Sequence, residues 1–166
     1  MTEFIPEGFK APPVLEAGAF RLRPVTINDV IKDYDAVMTS CERLWDLFGE
    51  VWSWPNPNLT LRRDLLDLAR HEKEFRGRSS FGYAVMSPDE RRLLGRVYVA
   101  PAEREDFDAE VCLWVRSDEL ESGLEDAVDA AVRAWIPEAW PFGRVAYPGR
   151  DIPWNEWNAR PELRVA

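Results

Sequence analysis

Ala109-Glu110-Val111-Cys112-Leu113-Trp114-Val115 places aliphatic residues at every odd position and Glu110, Cys112 and Trp114 at the even ones. A period of two is the signature of a β-strand whose two faces meet different surroundings. With Asp108 included, one face carries Asp108, Glu110, Cys112 and Trp114, and the other carries Ala109, Val111, Leu113 and Val115. Upstream, residues 80–86 and 93–100 repeat the period on either side of Ser87-Pro88-Asp89-Glu90, which predicts an antiparallel hairpin. Residues 101–106 form a further polar turn before the quoted strand. Phe20-Arg21-Leu22-Arg23-Pro24 predicts a first strand, at a sheet edge because it stops at proline.

Between these strands the period lengthens to that of a helix. Thr26 and Asp29 have capping-box spacing, and Val30, Tyr34, Val37, Met38, Cys41, Leu44, Trp45 and Phe48 then recur at helical intervals. This predicts one helix ending near Gly49, followed by a loop over residues 51–58 that contains Pro55 and Pro57. Thr60 is placed to cap a second helix with Leu61, Leu65, Leu68 and Phe75 on its inner face. After the quoted strand, residues 122–136 read as a helix whose stripe is Leu124, Val128, Val132, Trp135 and Ile136. Residues 144–147 form a short last strand, and residues 148–166, rich in Trp, Pro and Asn, read as irregular packing over the domain edge. Clustered strands with helices on both faces make the class α+β.

The chain has 166 residues, which suits one core, and the expected division is an N-terminal extension over 1–19 and a single domain over 20–166. A net charge of -9 argues against a nucleic-acid backbone or an anionic membrane as partner. The N-terminus shows no basic region followed by an apolar run, and no stretch reaches membrane-spanning length, so a cytoplasmic protein is expected. Cys41 and Cys112 lack metal-ligand spacing and read as reduced core thiols. His71 is the sole histidine, at the edge of the second helix's apolar stripe, and reads as a surface or boundary residue. With one histidine, neither a Ser/His triad nor a transition-metal site is expected.

The element order, together with Phe20-Arg21-Leu22-Arg23-Pro24, Leu93-Leu94-Gly95-Arg96-Val97-Tyr98-Val99 and the quoted strand, resembles the GNAT superfamily of N-acetyltransferases over residues 20–147. The resemblance implies a mixed, mainly antiparallel central sheet and an acetyl-coenzyme A cosubstrate lying between the fourth and fifth strands. It implies that Leu113 and Val115 offer backbone N–H groups, and that Arg116, Ser122, Gly123 and Leu124 hold the pyrophosphate at a helix start. Asn155, or Asn158, matches a family asparagine that contacts the cosubstrate. Glu110 matches the family's general base acting through water, and Tyr147 is the nearest tyrosine for protonating the leaving thiolate. Trp52 and Trp54 fall in the connection that lines the acceptor side, where two rings can wall an apolar or cation-binding site.

Family members carry a Q/R-x-x-G-x-G/A loop, whereas residues 116–126 here contain one glycine and five carboxylates. A carboxylate about 4 Å from a phosphate charge costs about 4 kcal/mol at the effective dielectric of a protein surface. Two functions therefore stand side by side: an acyltransferase acting on a small or peptide amine, for which an acidic surface suits a cationic acceptor, and a noncatalytic ligand-binding module of the same fold. The tryptophan-rich tail adds a third, a homodimer contact.

Overall fold

The computed structural model describes residues 4–163. Six strands form one sheet in the order β1 (Leu15–Glu16), β2 (Arg21–Pro24), β3 (Phe81–Met86), β4 (Leu93–Pro101), β5 (Ala109–Val115) and β6 (Val145–Ala146). All neighbours pair antiparallel except β5 and β6, which run parallel and meet only at Ala109–Val145 and Glu110–Ala146. Beyond Glu110 the two strands part, so one edge of β5 opens into a cleft.

Helices cover both faces. Helix α4 (Leu124–Ala139) buries the stripe Leu124, Val128, Val132, Trp135 and Ile136 against Val111, Leu113 and Val115 of β5. Each such aliphatic side chain removed from water contributes about 1.5–3 kcal/mol. On the other face, α1 (Val30–Thr39), α2 (Cys41–Trp52) and α3 (Leu61–Arg76) pack Val37, Leu44, Phe48 and Leu68 against Ala84, Met86 and Trp114. The period-two reading of β5 thus sends Trp114 to the α1–α3 side and its odd-numbered neighbours to the α4 side, as expected.

Several expectations are corrected. The first strand is not at the edge: β1 pairs along it, Leu15 opposite Leu22. The first helix is two helices, divided at Ser40, whose buried Oγ accepts the Ser117 N–H at 2.9 Å. Helix α2 passes through Gly49 to Trp52, because a side chain at 49 would overlap the Trp45 ring at 2.6 Å and the glycine serves that close approach rather than a stop. The helix ends instead at Ser53, which takes the left-handed conformation, so Val51 and Trp52 are helical. The tail is not wholly irregular, since Trp154–Ala159 form a short helix, α5, with Trp157 buried beside Phe107.

The N-terminal segment lies on the sheet. Ile5 is buried, Arg78 donates to the carbonyls of Pro6 and Phe9, and Tyr83 Oη donates to the carbonyl of Pro12 at 2.8 Å. Residues 1–3 and 164–166 of the expected division lie outside the described residues. Among the described residues no helix is long and apolar enough to cross a membrane.

Candidate functional site: a cavity and a cleft that meet at Cys112

A cavity of about 710 Å³ lies between the α1–α3 layer and the sheet. Its floor is two facing rows of side chains, Arg96, Tyr98 and Ala100 from β4 and Cys112 and Glu110 from β5, all on one face by strand alternation. One wall is aromatic. Trp52 stacks on Phe48 with centroids 4.4 Å apart and stands edge-on to Tyr98, while Trp54 leans on Trp114 at 6.0 Å. Trp114 is fully buried beneath this wall and donates its indole N–H to Tyr98 Oη at 3.1 Å.

The opposite wall comes from α3 and is polar. The inner stripe of α3 is Asp64, Leu68, His71 and Phe75, not the expected Leu61, Leu65, Leu68 and Phe75; Leu61 and Leu65 are 41% and 38% exposed. Turning the helix by one position puts polar groups over the cavity, where they meet Asp33 of α1 and Arg96 of β4. Arg96 Nη1 donates to Asp33 Oδ1 at 3.0 Å, and both side chains are 3% exposed. Burial, reinforced by the neighbouring Asp33 charge, raises the Asp64 carboxyl well above the usual carboxylate range and favours its protonated form. Burial, with the charges of Arg96 and Arg70, pushes the His71 imidazole down to about 2, which leaves it neutral.

Glu110 closes the cavity at its other end. Its Oε2 is buried without a hydrogen-bond partner among the described residues. Burial, with the charge of Glu103, lifts its carboxyl to about 7, against a backbone hydrogen bond from Glu103 and the charge of Arg104. A carboxylate near its titration point at neutral pH is suited to accept a proton. Neither arginine of the neighbouring strand region pairs with Glu110: Arg96 is held by Asp33, and Arg92 by Asp118 and Glu119.

A second space, a cleft of about 410 Å³, opens where β5 and β6 part, between Leu113, α4, the turn at Gly149 and Trp154. Cys112 lines both spaces. Burial and the nearby Glu110 charge push its thiol up to about 12, so it is a neutral wall group rather than a nucleophile. The Arg116 N–H donates to the Leu94 carbonyl at 2.8 Å across β4. By alternation along β5, the N–H groups of Leu113 and Val115 point the other way, away from β4, and Leu113 borders the cleft.

Three of the five carboxylates in residues 116–126 are paired with arginines, most of them from other elements, which the sequence does not announce. Among the described residues Glu121 and Asp126 have no such partner, and Asp126 lines the cleft. Asp118 accepts from Arg116 at 3.0 Å and Arg92 at 3.2 Å, and Glu119 accepts from Arg92 at 2.8 Å. Glu125 is held between Arg43 at 2.8 Å and Arg150 at 2.6 Å. Arg133 binds Asp151 through two hydrogen bonds of 2.8 Å and Asp129 at 2.9 Å. The chain enters α4 through Gly123, left-handed at φ 78°, which has no side chain to cap the helix; the first N–H, that of Leu124, is taken by Ser122 Oγ. One feature fits an anionic ligand: two arginines share one internal carboxylate.

No family model matches the chain, and no curated protein matches it in sequence. Solved structures do match. A ribosomal-protein-S5-alanine acetyltransferase from Vibrio fischeri superposes with a TM-score of 0.57 at 15% identity, over 75% of this chain and 68% of that one. An acetyltransferase from Thermus thermophilus gives 0.55 at 18% identity, over 74% and 73%. A ribosomal L7/L12 alpha-N-protein acetyltransferase in complex with coenzyme A gives 0.54 at 11% identity, over 73% and 66%. The fold is that of the GNAT superfamily.

Within this GNAT fold the sequence-derived candidates scatter. Glu110, Trp52 and Trp54 line the cavity, and Leu113 lines the cleft. Val115 is buried on β5, and its carbonyl accepts from Arg43 at 3.2 Å. Arg116 is 5% exposed and bound to Asp35 and Asp118, so its guanidinium serves the loop itself. Ser122 Oγ accepts the Leu124 N–H at 3.3 Å and donates to the Glu119 carbonyl, which fixes Gly123 between them. Asn155 and Asn158 are exposed on α5 and border neither space. Tyr147 is 8% exposed in the α4-side core, with the Arg133 guanidinium 4.0 Å above its ring, and lines neither the cavity nor the cleft. Sequence reasoning missed Arg43, Arg150, Asp33, Asp64 and Arg96. The i, i+4, i+7 spacing of Asp64, Leu68 and His71 was the available signal for the polar wall. Among the described residues no group of His, Cys, Asp and Glu side chains is placed to hold a metal ion.

Proposed function

We propose that the protein transfers an acyl group from acetyl-coenzyme A to a primary amine by direct attack. The observation that carries this reading is the position of Glu110, half-buried with its Oε2 enclosed and unpartnered among the described residues, two residues from the Cys112 wall shared by cavity and cleft. The matched GNAT-fold structures, acetyltransferases by their own descriptions and one of them holding coenzyme A, support the assignment of the cleft to the acyl donor. Arg43 and Arg150 would hold its phosphates by exchanging Glu125 for them, with the start of α4 behind.

The amine enters by the cavity. Glu110, through a water molecule, takes the ammonium proton, because a lysine-like amine with a pKa of about 10.4 is no nucleophile while protonated. The nitrogen then bonds to the thioester carbon, the carbon–sulfur bond breaks, and the second proton that the nitrogen loses on becoming an amide passes through water to the departing thiolate. The N–H groups of Leu113 and Val115 face the side where the carbonyl oxygen becomes negative. Tyr147 is given no part in this sequence, because it is sealed in the core under Arg133.

Thiol release from acetyl-coenzyme A, followed across polyamines, amino acids, amino sugars and peptide N-termini, tests the reading. Release that needs both the protein and an amine is the expected result. No amine-dependent release across the panel would leave a binding module without transferase activity.

A further inference from the structure

The polar end of the cavity contains more than the transfer reaction uses. Asp64 and Arg96 are 3% and 2% exposed, both line the cavity, and each keeps one buried atom without a partner among the described residues: Asp64 Oδ2 and Arg96 Nη2. The rest of each group is engaged. Arg96 Nη1 is on Asp33 and Nε is directed at the Tyr83 carbonyl, while Asp64 faces Asp33. One acceptor oxygen and one nitrogen bearing two N–H groups are left over, and buried polar atoms of this kind are completed by a ligand or by solvent. They lie away from the reacting end. Glu110 stands opposite Ala100, four residues along β4 from Arg96, a span of about 13 Å.

We propose that this end of the cavity recognises a neutral primary carboxamide at the far end of the amine substrate, its N–H on Asp64 Oδ2 and its carbonyl on Arg96 Nη2. The inference rests on the assignment of the cavity to the amine. Charge decides between the far ends that would fit sterically. An ammonium or guanidinium group meets the fixed cation Arg96, and a carboxylate meets the Asp33 anion. With the Asp64 proton turned to Asp33, the Asp33–Asp64–Arg96 group carries one cation and one anion and is neutral overall, as an uncharged amide requires. An alkyl end leaves both atoms uncompleted.

The test is calorimetric binding, without acyl donor, of four compounds that share a six-carbon chain and an amine: ε-aminocaproamide, ε-aminocaproate, hexamethylenediamine and n-hexylamine. The amide is expected to bind at least about tenfold more tightly than the other three. Asp64→Leu should reduce that preference to less than about threefold. Asp64→Asn should retain it, since the asparagine amide can donate to Asp33 and turn its carbonyl to the cavity. Equal affinities, a preference for the acid or the diamine, or no binding of the amide would overturn the inference. The two readings fail separately. Amide-selective binding without thiol release removes only the transferase, and amine-dependent thiol release without amide selectivity removes only the carboxamide site.

Discussion

Replacing Glu110 with glutamine is expected to lower kcat/KM for amine acylation by about 10²–10⁴-fold, the usual contribution of a positioned general base. The substitution is isosteric, and among the described residues Oε2 has no partner to lose, so the fold should be undisturbed. Affinity for acetyl-coenzyme A should be unchanged, because Glu110 lines the cavity and not the cleft. The pH profile supplies an independent signature. The Glu110 carboxyl titrates near 7, raised by burial, and only its ionised form accepts a proton. Wild-type kcat/KM should therefore rise with pH through about 7, and that inflection should be missing from Glu110→Gln. Equal turnover of the two proteins, or an unchanged inflection, removes Glu110 from the mechanism.

The second large effect is on stability. Trp114 is fully buried where the α1–α3 layer meets the sheet, packs against Trp54, and donates to Tyr98 Oη. Truncation to alanine loses the packing of the largest fully buried side chain and leaves a cavity, which costs about 3–5 kcal/mol. For a domain of this size that lowers Tm by roughly 6–20 °C. The prediction tests whether the aromatic wall of the cavity is part of the core. A change below about 1 kcal/mol by denaturant titration would mean that it is not.

What the sequence made legible followed local rules. The Thr26/Asp29 capping box and the Thr60 cap are both formed, since a cap needs only residues three apart. Strand alternation placed Glu110, Cys112 and Trp114 on the side that carries the cavity. What was illegible depended on distant residues. The carboxylates after β5 read as hostile to an anion because Arg43, Arg92 and Arg150 come from elsewhere in the chain. The inner face of α3 escapes hydrophobic periodicity, which assumes an apolar neighbour, because α3 lies over a polar cavity instead. Gly49 reads as a helix stop, whereas it makes room for a tryptophan one turn back.

The acyl donor is proposed to sit in the cleft between β5 and β6, where Arg43 and Arg150 leave Glu125 for its phosphates. Titration calorimetry of the full chain with acetyl-coenzyme A, with a dephospho analogue and Arg150→Ala alongside, measures this directly. One-to-one binding with a Kd of about 1 mM or tighter, weakened at least about fivefold in Arg150→Ala, is the predicted result. No heat of binding with several millimolar ligand, or equal binding by Arg150→Ala, would contradict it.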